Sequence, residues 1–379
     1  MINRKVKEME FSAIRELNSY TDKLTINLGI GRPYLKTPSI IKNAAIDAIK
    51  NDKTFYTSNY GIKELREVIS NRYKFGNYEN ALITVGAAEA IYTTMMSFLY
   101  EGDEVLIPNP GYLAYEPIAK ILSAKPVLYE LNDTYQIDFI KLEKLITKKT
   151  TMIIINHPGN PTGVEFSKKS LNMLIEIANK NNIVIVSDEV YQGLNYSNET
   201  IFSLADLALT NKIVVISSLS KEYSMTGFRI GWIYTNSSNI NQLVKPHLYI
   251  NSCATTISQY AALCALKENP REVVNKLKEN KSLMKNYLTQ IKNIKFIESN
   301  AGLYYFIDVS YFGDDKVLTF AILKEINLLV IFGSAFGSKG KGYIRLSFGA
   351  KPSDIENGMK KLMNFLNSLE RNEYAISNK

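Results

Sequence analysis

The feature that most constrains what this chain can fold into is a set of six short apolar runs. They are separated by stretches with helical spacing, such as residues 87–100 and 168–182. Near-continuous apolar strands are typical of a sheet that is buried on both faces, and their alternation with helices is typical of parallel pairing. The sequence therefore predicts an α/β fold with a mainly parallel sheet flanked by helices. The six runs are ALITV, EVLIP, KPVLY, TMIII, NIVIVSD and KIVVIS.

The pattern changes after about Leu266. A long charged helical stretch leads into the strand-like segments KFIESN, LYYFIDV, NLLVIFG and YIRLSF and into a final helix from Pro352 to about Leu369. These segments predict a smaller α+β domain, with the long helix as the hinge. We divide the chain into an N-terminal arm with part of the small domain (1–40), a large domain (41–283) and a small C-terminal domain (284–379).

Composition excludes several classes of protein. The chain has 379 residues, 46% hydrophobic and 22% charged, and its net charge is +8. Its lysines are scattered and form no aromatic-interleaved basic stripe, so we expect no nucleic-acid partner. Two cysteines and two histidines supply neither a disulfide framework nor a metal site. The start MINRKVKEMEF is too charged for a signal peptide, and no apolar run is long enough to cross a membrane. We expect a cytoplasmic protein with no membrane partner.

Polar groups follow several of the predicted strands. Asp188 ends IVIVSD, Asn156 ends MIII with Asn160 in the turn after it, and the turn PNPGY follows EVLI. The segment 86–88 joins ITV to a helix predicted to begin near Glu89. In open α/β sheets, ligands bind beyond the carboxyl ends of the strands. Together these groups indicate one shared cleft.

Lys221 follows the last apolar run, in the segment SSLSKEYSMTGFRIGW. A lysine amine that loses its proton on burial becomes a nucleophile toward an aldehyde. Ser218 and Arg229 flank it with a hydroxyl and a fixed cation, a pair suited to a phosphate. Taken alone, a solvated lysine after a strand is the simpler interpretation; the groups at the other strand ends favour a Schiff-base enzyme.

These motifs resemble the fold type I, pyridoxal-phosphate-dependent aminotransferases of class I/II, in particular the aspartate and aromatic aminotransferases. The resemblance covers nearly the whole chain, and its most specific part is SDEVY followed by S-x-S-K and an arginine eight residues after that lysine. It implies a seven-stranded sheet, a small domain built from both chain ends, pyridoxal 5'-phosphate as cofactor, and a homodimer with sites at the subunit interface. Further motifs are LGIGRPYLKTP, YTSNYGIKELR, ITVGAAEAIY, IPNPGYLAYEP, NHPGNPTG and GSAFGSKGKGYIRLSF.

The resemblance also implies roles for individual residues. Lys221 would form a Schiff base with the cofactor and then move a proton at the substrate Cα. Asp188 would keep the pyridine nitrogen protonated, and its alternative is a helix-capping aspartate. Tyr191 and Asn160 would hydrogen-bond the phenolic oxygen, with core packing and turn chemistry as their alternatives. Tyr112 would lie against the ring, or else serve as a surface anchor.

Phosphate and partner contacts are implied in the same way. Ser218, Arg229 and the backbone N–H groups of Ala87 and Ala88 would hold the phosphate. Tyr56 matches the tyrosine that the family sends to the neighbouring subunit's phosphate.

Substrate recognition is expected at Arg345, in GYIRLSF. A planar guanidinium can bind an α-carboxylate through two hydrogen bonds, and arginine seldom lies between apolar strand residues without an anionic partner. A salt bridge within the small domain is the alternative. The resemblance adds the backbone of Gly31 and the side chain of Asn160 as substrate contacts, so both chain ends would close over the cofactor.

The expected reaction moves an amino group from an L-amino acid, such as aspartate or an aromatic amino acid, to a 2-oxo acid in two half-reactions. Two departures from the family pattern, Arg32 after the glycine of LGIG and Phe332 before GSAF, bear on specificity rather than chemistry. The alternatives are a lyase or synthase of the same fold, and a regulatory protein that only senses the cofactor.

Overall fold

The computed structural model describes residue 2 and residues 4–9, 13–298 and 300–374. Its helices in these ranges are α1 (Arg4–Lys7), α2 (Ala13–Asn18), α3 (Ser39–Lys50), α4 (Lys63–Ser70), α5 (Gly86–Phe98), α6 (Tyr115–Ile121), α7 (Phe139–Leu145), α8 (Lys168–Asn181), α9 (Ser237–Asn251), α10 (Thr256–Glu268), α11 (Glu272–Leu288), α12 (Asp315–Ile326) and α13 (Pro352–Ser368). The strands are β1 (Ile26–Asn27), β2 (Ala81–Thr84), β3 (Glu104–Asn109), β4 (Lys125–Glu130), β5 (Thr150–Asn156), β6 (Val184–Asp188), β7 (Ile213–Ser218), β8 (Gly231–Thr235), β9 (Lys295–Phe296), β10 (Tyr304–Asp308), β11 (Leu328–Leu329), β12 (Ile331–Phe332) and β13 (Tyr343–Ser347).

A seven-stranded sheet forms the centre of the fold, in the order β2-β8-β7-β6-β5-β3-β4. Strands β4, β3, β5, β6 and β7 pair in parallel, and β8 runs antiparallel to both of its neighbours. Within β5, Ile153 and Ile155 belong to one core cluster, while Met152 and Ile154 belong to another. Both faces of the sheet are therefore buried, and the predicted α/β class is confirmed.

The carboxyl ends of three neighbouring parallel strands form the edge at which the candidate site lies. Asn156 at the end of β5 pairs in register with Asp188 at the end of β6, and Asp188 pairs with Ile216 near the end of β7. Parallel pairing thus brings residues from distant parts of the chain to one edge, as the sequence predicted.

The second unit combines the two ends of the chain. Strands β12, β13, β10 and β9 form an antiparallel sheet, and β1 pairs in parallel with β11. Leu28 belongs to the same core cluster as Leu328 and Leu346. Helix α11 packs into this cluster through Val273 and Met284, among others. The architecture is as expected, and the domain boundaries at residues 40 and 283 stay a prediction.

Helix α5 begins earlier than the sequence suggested. The expected start near Glu89 is wrong, because the helix begins at Gly86. Gly86 adopts φ +77°, a left-handed conformation that favours glycine and lets the chain turn from β2 directly into the helix. Ala87 and Ala88 consequently lie within its first turn.

Within the described ranges, no helix combines the length and the apolar composition that crossing a membrane requires.

Candidate active site

Lys221 lies just beyond the end of β7, and its side chain reaches toward the N-terminal segment. The Lys221 Nζ donates a hydrogen bond of 2.6 Å to the backbone oxygen of Gly31. Burial lowers the pKa of the Lys221 amine; the charges of Arg345 and Arg229 lower it further, while Tyr304 and Asp188 oppose the shift. The amine therefore loses its proton more readily than an ordinary lysine.

Asp188 is a buried carboxylate, with 3% of its surface exposed. Its Oδ2 accepts a 2.7 Å hydrogen bond from the Tyr115 hydroxyl, and its Oδ1 accepts a longer one, 3.3 Å, from the Val190 N–H. Burial raises the pKa of Asp188 to about 6, against these two bonds and the charge of Lys221. No helix follows Asp188, so its interpretation as a helix cap is wrong; it caps only a turn.

A chain of aromatic and polar contacts joins Tyr191 to Arg345. The hydroxyls of Tyr191 and Tyr304 share a hydrogen bond of 2.8 Å, and the Tyr304 ring centroid lies 4.2 Å from the Arg345 guanidinium carbon. The Tyr304 hydroxyl also lies where a Cβ on residue 31 would be, so this approach requires the glycine at that position.

Arg345 is 1% exposed and contacts both the turn after β5 and the N-terminal segment. One terminal nitrogen donates to Asn160 Oδ1 over 2.8 Å, and the other donates to the backbone oxygen of Gly29 over 2.7 Å. Its Nε has no partner among the described residues, and none of their carboxylates pairs with its guanidinium. The alternative interpretation of Arg345, a salt bridge within the small domain, is therefore not observed within the described ranges.

Asn160 is held in place from the neighbouring strand end. Its N–H donates to Asn156 Oδ1 over 2.6 Å, and Asn156 Nδ2 donates to the backbone oxygen of Asp188 over 3.0 Å. The turn after β5 is thus tied to the end of β6, and Asn160, Asp188 and Arg345 lie in one network.

The first turn of α5 lies against Arg229. A Cβ on Gly86 would lie 2.7 Å from the Arg229 Nη2, and a Cβ on Gly231 would lie 2.9 Å from the Ala87 nitrogen. Arg229 donates to the Thr226 backbone oxygen, and the buried Ser218 hydroxyl accepts from the Ser220 N–H. Helix-start N–H groups beside a guanidinium form a suitable cradle for an anion.

Tyr112 and Tyr56 have different surroundings. The Tyr112 ring meets the Tyr115 ring edge-on at 5.4 Å, and burial followed by the charge of Asp188 raises the pKa of Tyr112. Tyr112 therefore lies beside the Asp188 site. Tyr56 is 86% exposed and lies outside the network of this chain.

A cavity of about 700 Å³ adjoins these residues and is lined by Tyr112, Phe332, Phe336, Lys120 and Lys316 among others. The Phe336 ring, which lines the cavity, has its centroid 4.8 Å from the Arg345 guanidinium carbon. Lys120 and Lys316 form ion pairs with Glu116 and Glu16, which also line the cavity, so the lining combines aromatic rings with paired charges.

Three residues of the network were not predicted as site residues: Tyr115, Tyr304 and Asn156. Tyr115 follows Tyr112 by three positions, a spacing that puts two side chains on one side of a helical turn and could have indicated the pair. Asn156 was noticed only as a strand end. Tyr304 carries no comparable signal, because its contacts with Tyr191 and Arg345 join distant parts of the chain.

The residues fit the cofactor that the resemblance implies. A buried carboxylate, whose pKa burial raises, suits a protonated ring nitrogen as its partner. A lysine with a lowered pKa suits an aldehyde, and the cradle at Gly86 and Arg229 suits a phosphate.

Comparisons with known proteins agree with this arrangement. Residues 23–362 match the family described as aminotransferase class I and II. A probable aspartate aminotransferase of Methanocaldococcus jannaschii is 37% identical over 373 residues, which cover 95% of this chain and 98% of that protein. A probable N-acetyl-LL-diaminopimelate aminotransferase of Bacillus subtilis is 31% identical, covering 97% of this chain and 96% of that protein. The crystal structure of an aspartate aminotransferase from Thermotoga maritima superposes with a TM-score of 0.91 at 31% identity, covering 97% of this chain and 100% of that one.

The chain belongs to the class I and II aminotransferases. It is a transaminase of fold type I whose cofactor is pyridoxal phosphate, as the resemblance implied. Transamination is thereby preferred to the lyase and to the cofactor-sensing regulator that were its alternatives.

Proposed function

We propose that this site moves an amino group between L-amino acids and 2-oxo acids, with Arg345 binding the α-carboxylate of both. The observation that carries the proposal is a guanidinium that is almost fully buried, contacts neutral oxygens and pairs with no carboxylate of the described residues. A buried cation is stable only with compensating charge or hydrogen bonds, so this position favours an anionic ligand. Asn160 fixes the guanidinium and contributes a second polar group to the same ligand.

Lys221 and Asp188 divide the chemistry between them in this proposal. Lys221, with its lowered pKa, would bind the aldehyde carbon of the cofactor, and would later take the proton from the substrate Cα and deliver it to that carbon. Asp188 holds a proton on the ring nitrogen, because a buried carboxylate gains most from a cationic partner. When bound, pyridoxal phosphate supplies an electron-withdrawing ring that accepts the electron pair released at Cα.

The remaining predicted residues orient the cofactor. The N–H groups of Ala87 and Ala88, with Ser218 and Arg229, bind its phosphate at the start of α5. Tyr191 and Asn160 donate to its phenolic oxygen, and Tyr112 covers one face of its ring. These assignments are supported by the common network that ties Tyr191, Asn160 and Tyr112 to Asp188 and Arg345.

The amino donor that we propose is an acidic or aromatic L-amino acid, with 2-oxoglutarate as acceptor. The cavity beside Tyr112 and Phe336 carries aromatic rings, which suit an aromatic side chain, while its Lys120 and Lys316 are paired with Glu116 and Glu16. Relatives include aspartate aminotransferases and an aromatic-amino-acid aminotransferase of Thermococcus litoralis. Mixing the purified holoenzyme with each of the twenty amino acids and following its visible absorbance tests this. A response confined to small aliphatic amino acids would contradict it.

The carboxylate assignment is tested with Arg345→Ala. We expect the KM to rise about a hundred-fold for both the amino acid and the 2-oxo acid, since two charge-assisted hydrogen bonds are lost. Arg345→Lys keeps the charge without the planar fork and should give a smaller rise. A simple alkylamine, which has no carboxylate, is the matched substrate: its kcat/KM should fall far less in Arg345→Ala than the kcat/KM of the two acids. A rise in KM for only one of the two acids would exclude a shared carboxylate site.

We also propose a homodimer in which Tyr56 reaches the neighbouring subunit's phosphate. Large apolar side chains are exposed on the same chain, among them Phe55, Tyr56 and Tyr249. A surface with several such side chains favours burial against another protein surface. Mixing inactive Lys221→Ala subunits with inactive or weakened Tyr56→Ala subunits should restore activity, because a mixed dimer holds one site with both residues intact. A monomer in sedimentation, or no recovery on mixing, would refute this arrangement.

The cytoplasmic location stays a prediction, which fractionation of the source cells with an antibody to the chain tests.

A further inference from the structure

Glu89 lies at the centre of a buried hydrogen-bond cluster in the first turns of α5. Its Oε2 accepts from the backbone N–H of Val85 over 2.7 Å. Its Oε1 accepts from the Thr93 hydroxyl over 2.9 Å and contacts His247 Nδ1, also at 2.9 Å. In the tautomer that carries its proton on Nδ1, His247 donates to this oxygen. Three donors from α5, its preceding loop and α9 therefore hold one carboxylate.

His247 is a full component of this cluster and not a surface residue. Its side chain is completely buried on α9, and its Nε2 has no hydrogen-bond partner among the described residues. A buried polar atom without a partner lowers the stability of the folded chain. An apolar residue would avoid that penalty, so the imidazole has to be explained by its one bond, to Glu89.

The helix that this cluster holds is the one at the proposed phosphate site. The N-cap residue of α5, Val85, makes no side-chain hydrogen bond to the first turn. Glu89 reaches back to the N–H of Val85 instead, as the glutamate of a capping box does. The first residue of the helix, Gly86, lies against Arg229, whose Nη2 would be 2.7 Å from a Cβ at that position.

We propose that Glu89 and His247 are positioning residues that hold the first turn of α5 in the conformation that binds the cofactor's phosphate. This inference rests on the proposed function of that turn. It adds α9, which lies outside the site, as the helix that supports the first turn of α5. Neither side chain touches the groups at Asp188 or Lys221, which are carried by the ends of β6 and β7.

The proposal predicts an effect on the phosphate alone. Pyridoxal has the aldehyde and ring of pyridoxal phosphate but no phosphate group. Loss of the Glu89–His247 bond should therefore weaken the binding of pyridoxal phosphate and leave the binding of pyridoxal unchanged. Binding to the apoprotein is measured by quenching of Trp232, the single tryptophan of the chain, together with visible absorbance.

His247→Leu removes the donor and keeps an apolar side chain in the buried position. We expect its Kd for pyridoxal phosphate to rise about ten-fold, the effect of one charge-assisted hydrogen bond. His247→Asn, whose amide can replace the Nδ1–H donor, should recover most of the affinity. Thr93→Val removes a second donor to Glu89 with little change of shape. This variant provides the same test if His247→Leu fails to fold.

Tyr129→Phe is the matched control for simple destabilisation. It also deletes a buried hydrogen bond, from the Tyr129 hydroxyl to the Ile154 backbone oxygen, between β4 and β5 on the opposite side of the sheet from β2 and α5. The melting temperature of this variant should fall. Any change in its Kd should be the same for pyridoxal phosphate and for pyridoxal.

Each outcome decides one statement. A selective loss of pyridoxal phosphate affinity in His247→Leu or Thr93→Val, recovered in His247→Asn, supports the proposal. Equal weakening of the binding of both ligands, or unchanged binding in variants that fold, overturns the proposal. If the wild-type chain bound neither ligand, the proposed function itself would fail, and that result is distinct from both.

Discussion

Glu189, the neighbour of Asp188, makes stability depend on pH in a direction that is unusual for a carboxylate. Its side chain is completely buried; Oε1 accepts from the Ser187 hydroxyl and the Leu204 N–H, and Oε2 has no partner among the described residues. Burial raises the pKa of Glu189 from the ordinary 4.5 to about 7, although these bonds oppose the shift.

The sign follows from proton linkage. Below about pH 4.5 both the folded and the unfolded chain hold the proton on Glu189, and its contribution to stability is complete. Between pH 4.5 and about 7 the unfolded chain releases the proton while the folded chain keeps it, so stability falls as pH rises. The two pKa values differ by an amount that corresponds to roughly 3 kcal/mol.

Glu189→Gln keeps the shape but cannot ionise. Relative to the wild type, the variant should therefore gain about 2–3 kcal/mol between about pH 5 and about pH 8. With an unfolding entropy of about 0.8 kcal/mol per kelvin for a chain of this length, its melting temperature relative to wild type should rise by about 3 °C over that interval. Calorimetry of the apoproteins at equal concentration measures the difference.

Glu104→Gln is the matched control with the opposite sign. Hydrogen bonds from Thr147 and Lys125 lower the pKa of Glu104, so its contribution is present above the unfolded pKa and is lost as pH falls through the folded one. This variant should lose stability relative to wild type as pH rises. A pH-independent difference for Glu189→Gln, or the same sign for both variants, would show that burial does not hold the proton on Glu189.

Three further substitutions test the site itself. Lys221→Ala should abolish both transamination and the visible absorbance of the bound cofactor, and retained turnover would refute its assignment. Asp188→Asn should keep the cofactor bound while kcat falls by about a hundred-fold or more, measured by stopped-flow half-reactions; an unchanged kcat would argue against a protonated ring nitrogen held there. Gly31→Ala should lower kcat/KM by about ten-fold, because the new methyl group meets the Tyr304 hydroxyl, and adding Tyr304→Phe should restore part of it.

The sheet and its site edge could be predicted because their signals are local. The composition of each apolar run is enough to predict a buried strand. Parallel pairing of these strands then places Asn156, Asp188 and Ser218 at one edge of the sheet. The start of α5 could not be predicted in the same way. The expected position assumed an ordinary loop, whereas the positive φ of Gly86 and the bond from Val85 to Glu89 let the helix begin directly after the strand.

Contacts between distant segments gave no signal in a single sequence. The Tyr191–Tyr304 and Glu89–His247 hydrogen bonds join residues more than a hundred positions apart. In each pair, either residue alone is equally compatible with simple core packing. Only the folded chain shows that their polar atoms meet.

Arg345 illustrates how such distant contacts build the proposed carboxylate site. Its strand pairs with β10, and this pairing directs its guanidinium toward Asn160 of the large domain and Gly29 of the N-terminal segment. Both acceptors are neutral, so they satisfy hydrogen bonds without balancing the charge. In a buried environment a carboxylate brings the missing charge, and an amine without a carboxylate does not. In the proposed function, the same convergence of three chain segments that buries the cation would favour amino and 2-oxo acids over simple amines and aldehydes, whatever their side chains.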